Sequence, residues 1–115
     1  MIIEKWLEEF NNNWSNHNID DVLRLFAEDV EYWETPFYKL DSIDHIRNEW
    51  QAILLQKDIQ LKTRVYDSDS RDRYTIIWNL RYKRDGFVHE LAGTYLIELN
   101  DKGLCNYFYC VSEHK

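Results

Sequence analysis

The chain has 115 residues, 44% hydrophobic and 30% charged, which suits one domain whose core buries roughly two-thirds of the unfolded surface. Its formal charge of −7, with no basic stripe anywhere, argues against nucleic acid and anionic membrane as partners, because both require a basic footprint. Aromatic residues reach 16% while Gly (3) and Pro (1) are scarce, so a ring-rich interior without long linkers is expected.

The opening segment, MIIEKWLEEF, carries acids within its apolar spacing, a pattern expected of neither a signal peptide nor a transit peptide. No apolar run reaches the length of a bilayer span. Ile3, Trp6 or Leu7, Phe10 and Trp14 recur at helical spacing and predict a first helix, closed by the Asn- and Ser-rich run NNNWSNHN. Asn18 is placed to cap a short second helix carrying Ile19, Val22, Leu23 and Phe26. A short strand from Val30 to Glu34 follows, broken by Pro36. Asp41 and Asp44 mark the start of a third helix running to about Lys57, with Ile43, Ile46, Trp50, Ile53 and Leu54 on one side.

The remainder reads as strand. Ile59, Leu61, Thr63 and Val65 alternate with polar residues and Tyr66. Tyr74, Ile76, Trp78, Leu80 and Tyr82 then share one face of the next strand. Asp85-Gly86 is a two-residue hairpin signal. It sets Tyr82 opposite His89, Leu80 opposite Leu91, Trp78 opposite Gly93, Ile76 opposite Tyr95 and Tyr74 opposite Ile97, with Arg81 meeting Glu90 on the other face. A large ring above Gly93 accounts for the glycine without a ligand.

The turn Asn100-Asp101-Lys102-Gly103 leads into a last strand with two open registers. A bulge at Gly103 puts Cys105, Tyr107, Tyr109 and Val111 on the apolar face. A plain turn puts Leu104, Asn106, Phe108 and Cys110 there. The odd spacing of Cys105 and Cys110 sends the thiols to opposite faces, so they read as free thiols in a reducing, cytoplasmic setting.

The order of helices, short strand, helix and long antiparallel strands resembles the nuclear transport factor two-like superfamily, in particular its SnoaL-like, ketosteroid-isomerase-like branch. Three stretches carry the resemblance: Leu25-Phe26-Ala27-Glu28-Asp29-Val30 at a helix-to-strand junction, Thr35-Pro36-Phe37 at the following turn, and Ile46-Arg47-Asn48-Glu49-Trp50 on the third helix. It spans essentially the whole chain. It implies a single α+β domain over residues 1–115, a cone in which N-terminal helices pack on a strongly curved, mostly antiparallel sheet around a cavity. It also implies a small apolar or aromatic ligand and a homodimer formed through the outer sheet face, where Tyr66, Ile77 and Leu96 lie.

Ketosteroid isomerases use a carboxylate base with a tyrosine and a protonated aspartic acid as donors. The base position falls on Glu34 counted from Asp29 and on Thr35 counted back from Pro36. The tyrosine position falls on Phe10, which cannot donate, and the aspartic acid position near Tyr95, which can. Glu34, on the inward face with Val30 and Tyr32, is the candidate base; the plain alternative is a strand-end glutamate in solvent or paired with Arg47. Tyr95 is the candidate donor, with a core tyrosine bonded to a carbonyl as its plain reading. His89 is a third candidate, or a rim histidine near the hairpin end. Phe10, Trp14, Tyr32, Trp50, Trp78, Tyr82 and Tyr109 are the expected ligand-facing rings. No His, Asp or Glu spacing suggests a metal, no Gly-rich loop suggests a phosphate cofactor, and neither Cys has a histidine partner. A cofactor-free isomerase, lyase or cyclase acting by proton transfer is one expectation; a non-catalytic ligand-binding or adaptor domain is the other.

Overall fold

Asp85 and Gly86 both take positive φ (53° and 78°), the backbone of a type I′ turn whose twist matches the flanking strands. The computed structural model, which describes residues 2–115, contains α1 (Ile2–Ser15), α2 (Ile19–Leu23), β1 (Phe26–Thr35), β2 (Tyr38–Leu40) and α3 (Ile43–Trp50). A 3-10 turn (Gln51–Leu55) follows, then β3 (Lys57–Ser68), β4 (Arg73–Arg84), β5 (Phe87–Leu99) and β6 (Cys105–His114). Every β4–β5 pair expected from the Asp85-Gly86 turn is present, from Arg84 with Phe87 to Tyr74 with Ile97. Arg81 lies 3.7 Å from Glu90 across it.

The six strands form one mixed sheet in the order β2-β1-β6-β5-β4-β3, curled but not closed. Only β1 and β6 run parallel; the other neighbours are antiparallel. The helices pack on its concave side. α1 buries Ile3, Trp6, Leu7, Phe10 and Trp14, the stripe expected from the spacing. Two long-range bonds seat it: Trp6 Nε1 donates to the Leu25 carbonyl and Asn11 Nδ2 to the Leu61 carbonyl, each at 2.9 Å. The core is dense in rings: Phe10 alone meets Trp6, Trp14, Phe26, Trp50, Tyr95 and Phe108. Aromatic pairs of this kind add about 0.5–1.5 kcal/mol each beyond burial.

Several expectations are corrected. The strand expected over Val30–Glu34 begins at Phe26, so Phe26 belongs to β1 rather than to the helical stripe. Asn18 precedes α2 without a side-chain capping bond. The third helix is capped by Ser42, whose hydroxyl accepts from the His45 N–H at 3.1 Å, and it tightens into the 3-10 turn after Trp50. Leu54 is consequently rotated off the stripe and exposed.

The last strand follows neither register throughout. Gly103 (φ 77°) starts it with Cys105 buried beside Leu99. The pairing then slips, Asn106 being the extra residue, so Phe108 and Cys110 take the inner face beside Ile97 and Tyr95. Both cysteines therefore turn toward the core instead of opposite faces, and both are free thiols. Gly93 is explained by backbone rather than by a ring: a Cβ there would sit 1.8 Å from the Val111 carbonyl oxygen and 2.9 Å from the Ser112 Cα. Only a bare α-carbon lets β5 and β6 come so close, which suits the curl of the sheet.

Candidate functional site

The curl and the helices leave a cavity of about 300 Å³ between them. Phe10 and Trp14 reach it from α1, Trp50 from α3, and Tyr32 and Glu34 from β1. Trp78 and Tyr82 reach it from β4, Tyr95 from β5, and Phe108 and Cys110 from β6. Period-2 alternation carries the β4 and β5 rings inward; the slip at Asn106 does the same for Phe108 and Cys110.

Glu34 is half-buried in this wall. Its carboxyl is held above the ordinary range, first by burial and then by the like charge of Glu49, while the polar hydroxyl of Tyr32 opposes both. Tyr32 is itself fixed: Trp50 Nε1 donates to its hydroxyl at 3.1 Å. Glu34 does not pair with Arg47, which binds Asp20 elsewhere on the surface. Thr35, the other position for the base, spends its hydroxyl on the turn, accepting from the Phe37 N–H at 3.0 Å.

Glu49 is not among the site residues expected from the sequence, yet it lines the cavity. The Asp41 N–H donates to Nδ1 of His45 at 3.3 Å, and Nε2 of the same ring lies 2.8 Å from the Tyr38 hydroxyl. That hydroxyl donates in turn to Glu49 Oε1 at 3.1 Å. Glu49 thus stands at the exposed side of the cavity, oriented by Tyr38, with Glu34 further in.

Tyr95 is buried, and its ring stacks on Trp78 at 5.0 Å and 14°. Burial, then the neighbouring Cys110 and Glu34, push its phenol well above the usual value, so it stays a neutral donor. Burial and Glu34 likewise push the Cys110 thiol up to about 12, which leaves it protonated and poorly nucleophilic. Gln56, also missed, is a buried polar residue of the wall whose Oε1 accepts from Trp14 Nε1 at 2.8 Å. Four of the five tryptophans donate their indole N–H: Trp6, Trp14, Trp33 and Trp50. Trp78 Nε1 is buried without an acceptor among the described residues, a cost of about 1–3 kcal/mol.

Of the expected residues, Glu34, Tyr95, Phe10, Trp14, Tyr32, Trp50, Trp78 and Tyr82 come together in this wall. His89 does not; its ring stacks on Tyr82 at 5.0 Å, one layer away from the cavity. Tyr109 is corrected more strongly. The slip in β6 turns it to the outer face, against Trp33 and Tyr107. Among the described residues no group of His, Cys, Asp or Glu is placed to hold a metal ion, and no helix is long and apolar enough to cross a membrane.

Comparison with solved structures finds the same fold repeatedly. The Δ5-3-ketosteroid isomerase of a Mycobacterium species superposes with a TM-score of 0.82 at 13% identity, covering 99% of this chain and 98% of that one. Rv0760c of Mycobacterium tuberculosis, in complex with estradiol-17β-hemisuccinate, gives 0.78 at 18% identity over 91% and 88%. An NTF2-like protein of unknown function from an Exiguobacterium species gives 0.78 at 19% identity, covering 98% of each chain. No curated protein matches the chain in sequence. The profile of the SnoaL-like domain matches residues 7–106, most of the chain, and the protein belongs to the SnoaL-like domain family.

Proposed function

We propose that the cavity takes up a small, largely apolar ring compound bearing a carbonyl group, and that Glu34 moves a proton on it. The observation that carries this reading is a carboxyl of raised pKa in an aromatic wall, near a neutral phenol, Tyr95, that makes no hydrogen bond within the described chain. Ionised Glu34 would take the proton from the carbon next to the carbonyl. The resulting enolate oxygen would accept a hydrogen bond from Tyr95. Returning the proton at another carbon gives an isomer; expelling a group from the β-carbon gives an elimination product. A positioned base contributes about 10²–10⁴-fold, and one oxyanion donor about 10²–10³-fold. Two structural neighbours, a ketosteroid isomerase and a protein solved with a steroid ester, are compatible with such a ligand.

The test is hydrogen–deuterium exchange of β-tetralone in heavy water, followed by proton NMR. The protein should accelerate loss of the signals beside the carbonyl, and Glu34→Gln should abolish the acceleration while the circular dichroism stays native. Unchanged exchange in that variant removes Glu34 from the chemistry.

Phe10 supports a second reading. The first-helix position that holds a donor in ketosteroid isomerases is apolar here and buried, which suits a protein that binds a ring compound and leaves it unchanged. Binding of the ketone without exchange would select that reading. In either case the outer sheet face, with Tyr66, Leu96 and Val111 exposed, is proposed to pair with a second copy. Light scattering that finds only monomer at high concentration would remove the dimer.

A further inference from the structure

The charge of the cavity has a bearing on its ligand that the fold alone does not. Among the described residues no Lys or Arg lines it; its carboxylates are Glu34 and Glu49, and His114 is the one imidazole in the wall. Those two lie close enough for Glu49 to disfavour ionisation of Glu34. Arg47, the basic residue of α3, is engaged by Asp20 outside. Rings complete the enclosure. Trp14 and Trp50 meet at 5.0 Å and 79°, and Phe10 meets Trp50 at 5.5 Å and 85°.

A carboxylate in a ring-lined wall attracts a weakly hydrated cation, through its own charge and through the negative faces of rings that border the cavity. A ligand without positive charge would leave these two carboxyl groups with no Lys or Arg counter-charge in the wall, and an anion would add to the repulsion. We infer that the ligand of this cavity carries a positive charge, as a tertiary or quaternary ammonium group on a small ring compound, with Glu49 at the mouth as its counter-ion and Trp14 and Trp50 as its aromatic walls. The inference rests on the reading of this cavity as the ligand site, and not on any turnover by Glu34. The two carboxylates then divide the work: Glu49, oriented by Tyr38, fixes the cation, and Glu34 is left to exchange a proton further in. The chain's formal charge of −7 favours encounter with such a ligand.

Three probes of nearly one shape decide it: benzyltrimethylammonium, its neutral carbon isostere neopentylbenzene, and the anion phenylacetate. Binding is read from quenching of tryptophan fluorescence and from calorimetry at low salt. A plain apolar cavity takes the neutral probe best, since the cation must shed water. The expected order is the reverse, the cation binding roughly tenfold more tightly than its isostere and phenylacetate most weakly. Glu49→Gln should remove most of that preference, read as the ratio of the cation's affinity to that of its neutral isostere in the variant against the same ratio in the parent protein. A neutral probe that binds as tightly as the cation, or a preference that survives Glu49→Gln, overturns the inference and leaves the cavity as a ligand site. Failure of all three probes to bind overturns the ligand-site reading itself, and this inference with it.

Discussion

Trp50 donates its indole N–H to the Tyr32 hydroxyl across 3.1 Å, joining the last turn of α3 to the strand that carries Glu34. The Tyr32 hydroxyl in turn favours the ionised carboxylate of Glu34. Tyr32→Phe should therefore raise the pH at which Glu34 titrates, read from the pH profile of ketone exchange or from carboxyl carbon-13 shifts. It also strands a buried indole donor, so a loss of about 1–3 kcal/mol in urea unfolding is expected. A titration that moves down, or not at all, would show that Tyr32 does not set the state of Glu34.

Glu49 acts in the opposite sense. Its charge raises the Glu34 carboxyl, so Glu49→Gln should lower the pH of that titration. Glu49 is exposed, and its replacement should change stability by less than about 0.5 kcal/mol. Two neighbours that shift one titration in opposite directions form an internal control, because a general loosening of the fold would not separate them by sign.

The sequence carried the β4–β5 ribbon almost whole, and the reason is physical. Asp85-Gly86 fixes the turn, period-2 alternation fixes the face, and a slip by one residue would put Trp78 and Ile76 in water. The β6 strand lacked such a constraint. Tyr107, Phe108, Tyr109 and Cys110 offer apolar bulk to both faces, so a slip costs little in pattern and Tyr109 was read inward. Glu49 did leave a signal. It lies three residues after Ile46 and four before Ile53, at the exposed edge of the buried stripe, where a charge can reach the mouth of the cavity. Gln56 left none, since it follows the 3-10 turn that the helical pattern did not reveal.

Burial of Glu34 has a consequence for stability. Its carboxyl titrates above the ordinary value of 4.5 when folded. From that value up to the folded one, the folded chain holds more protons than the unfolded chain, so this group's contribution falls as pH rises through the window. Below the window the contribution is at its full value. Glu34→Gln has no such titration, so its melting temperature relative to the parent protein should climb as the pH rises from 4.5 through the folded titration. Thermal melts of both proteins across that range check it. A difference that stays flat would mean that Glu34 is solvated as well in the folded chain as in the unfolded one.

Gly93 tests the origin of the curl. It faces Trp78 on one neighbour and Ser112 on the other, and Ser112 lines the cavity. A methyl group at Gly93 would collide with the Val111 carbonyl and the Ser112 α-carbon, both main-chain atoms that cannot swing aside as a side chain would. Gly93→Ala must therefore part β5 from β6 locally, and a loss of about 2 kcal/mol or more is expected in urea unfolding. The strand that shifts also carries Phe108 and Cys110, so affinity for any cavity probe should fall with stability. Had a ring above the glycine been the reason for it, trimming that ring with Trp78→Phe would rescue Gly93→Ala. Backbone contact with β6 leaves the double variant no more stable than the sum of its parts.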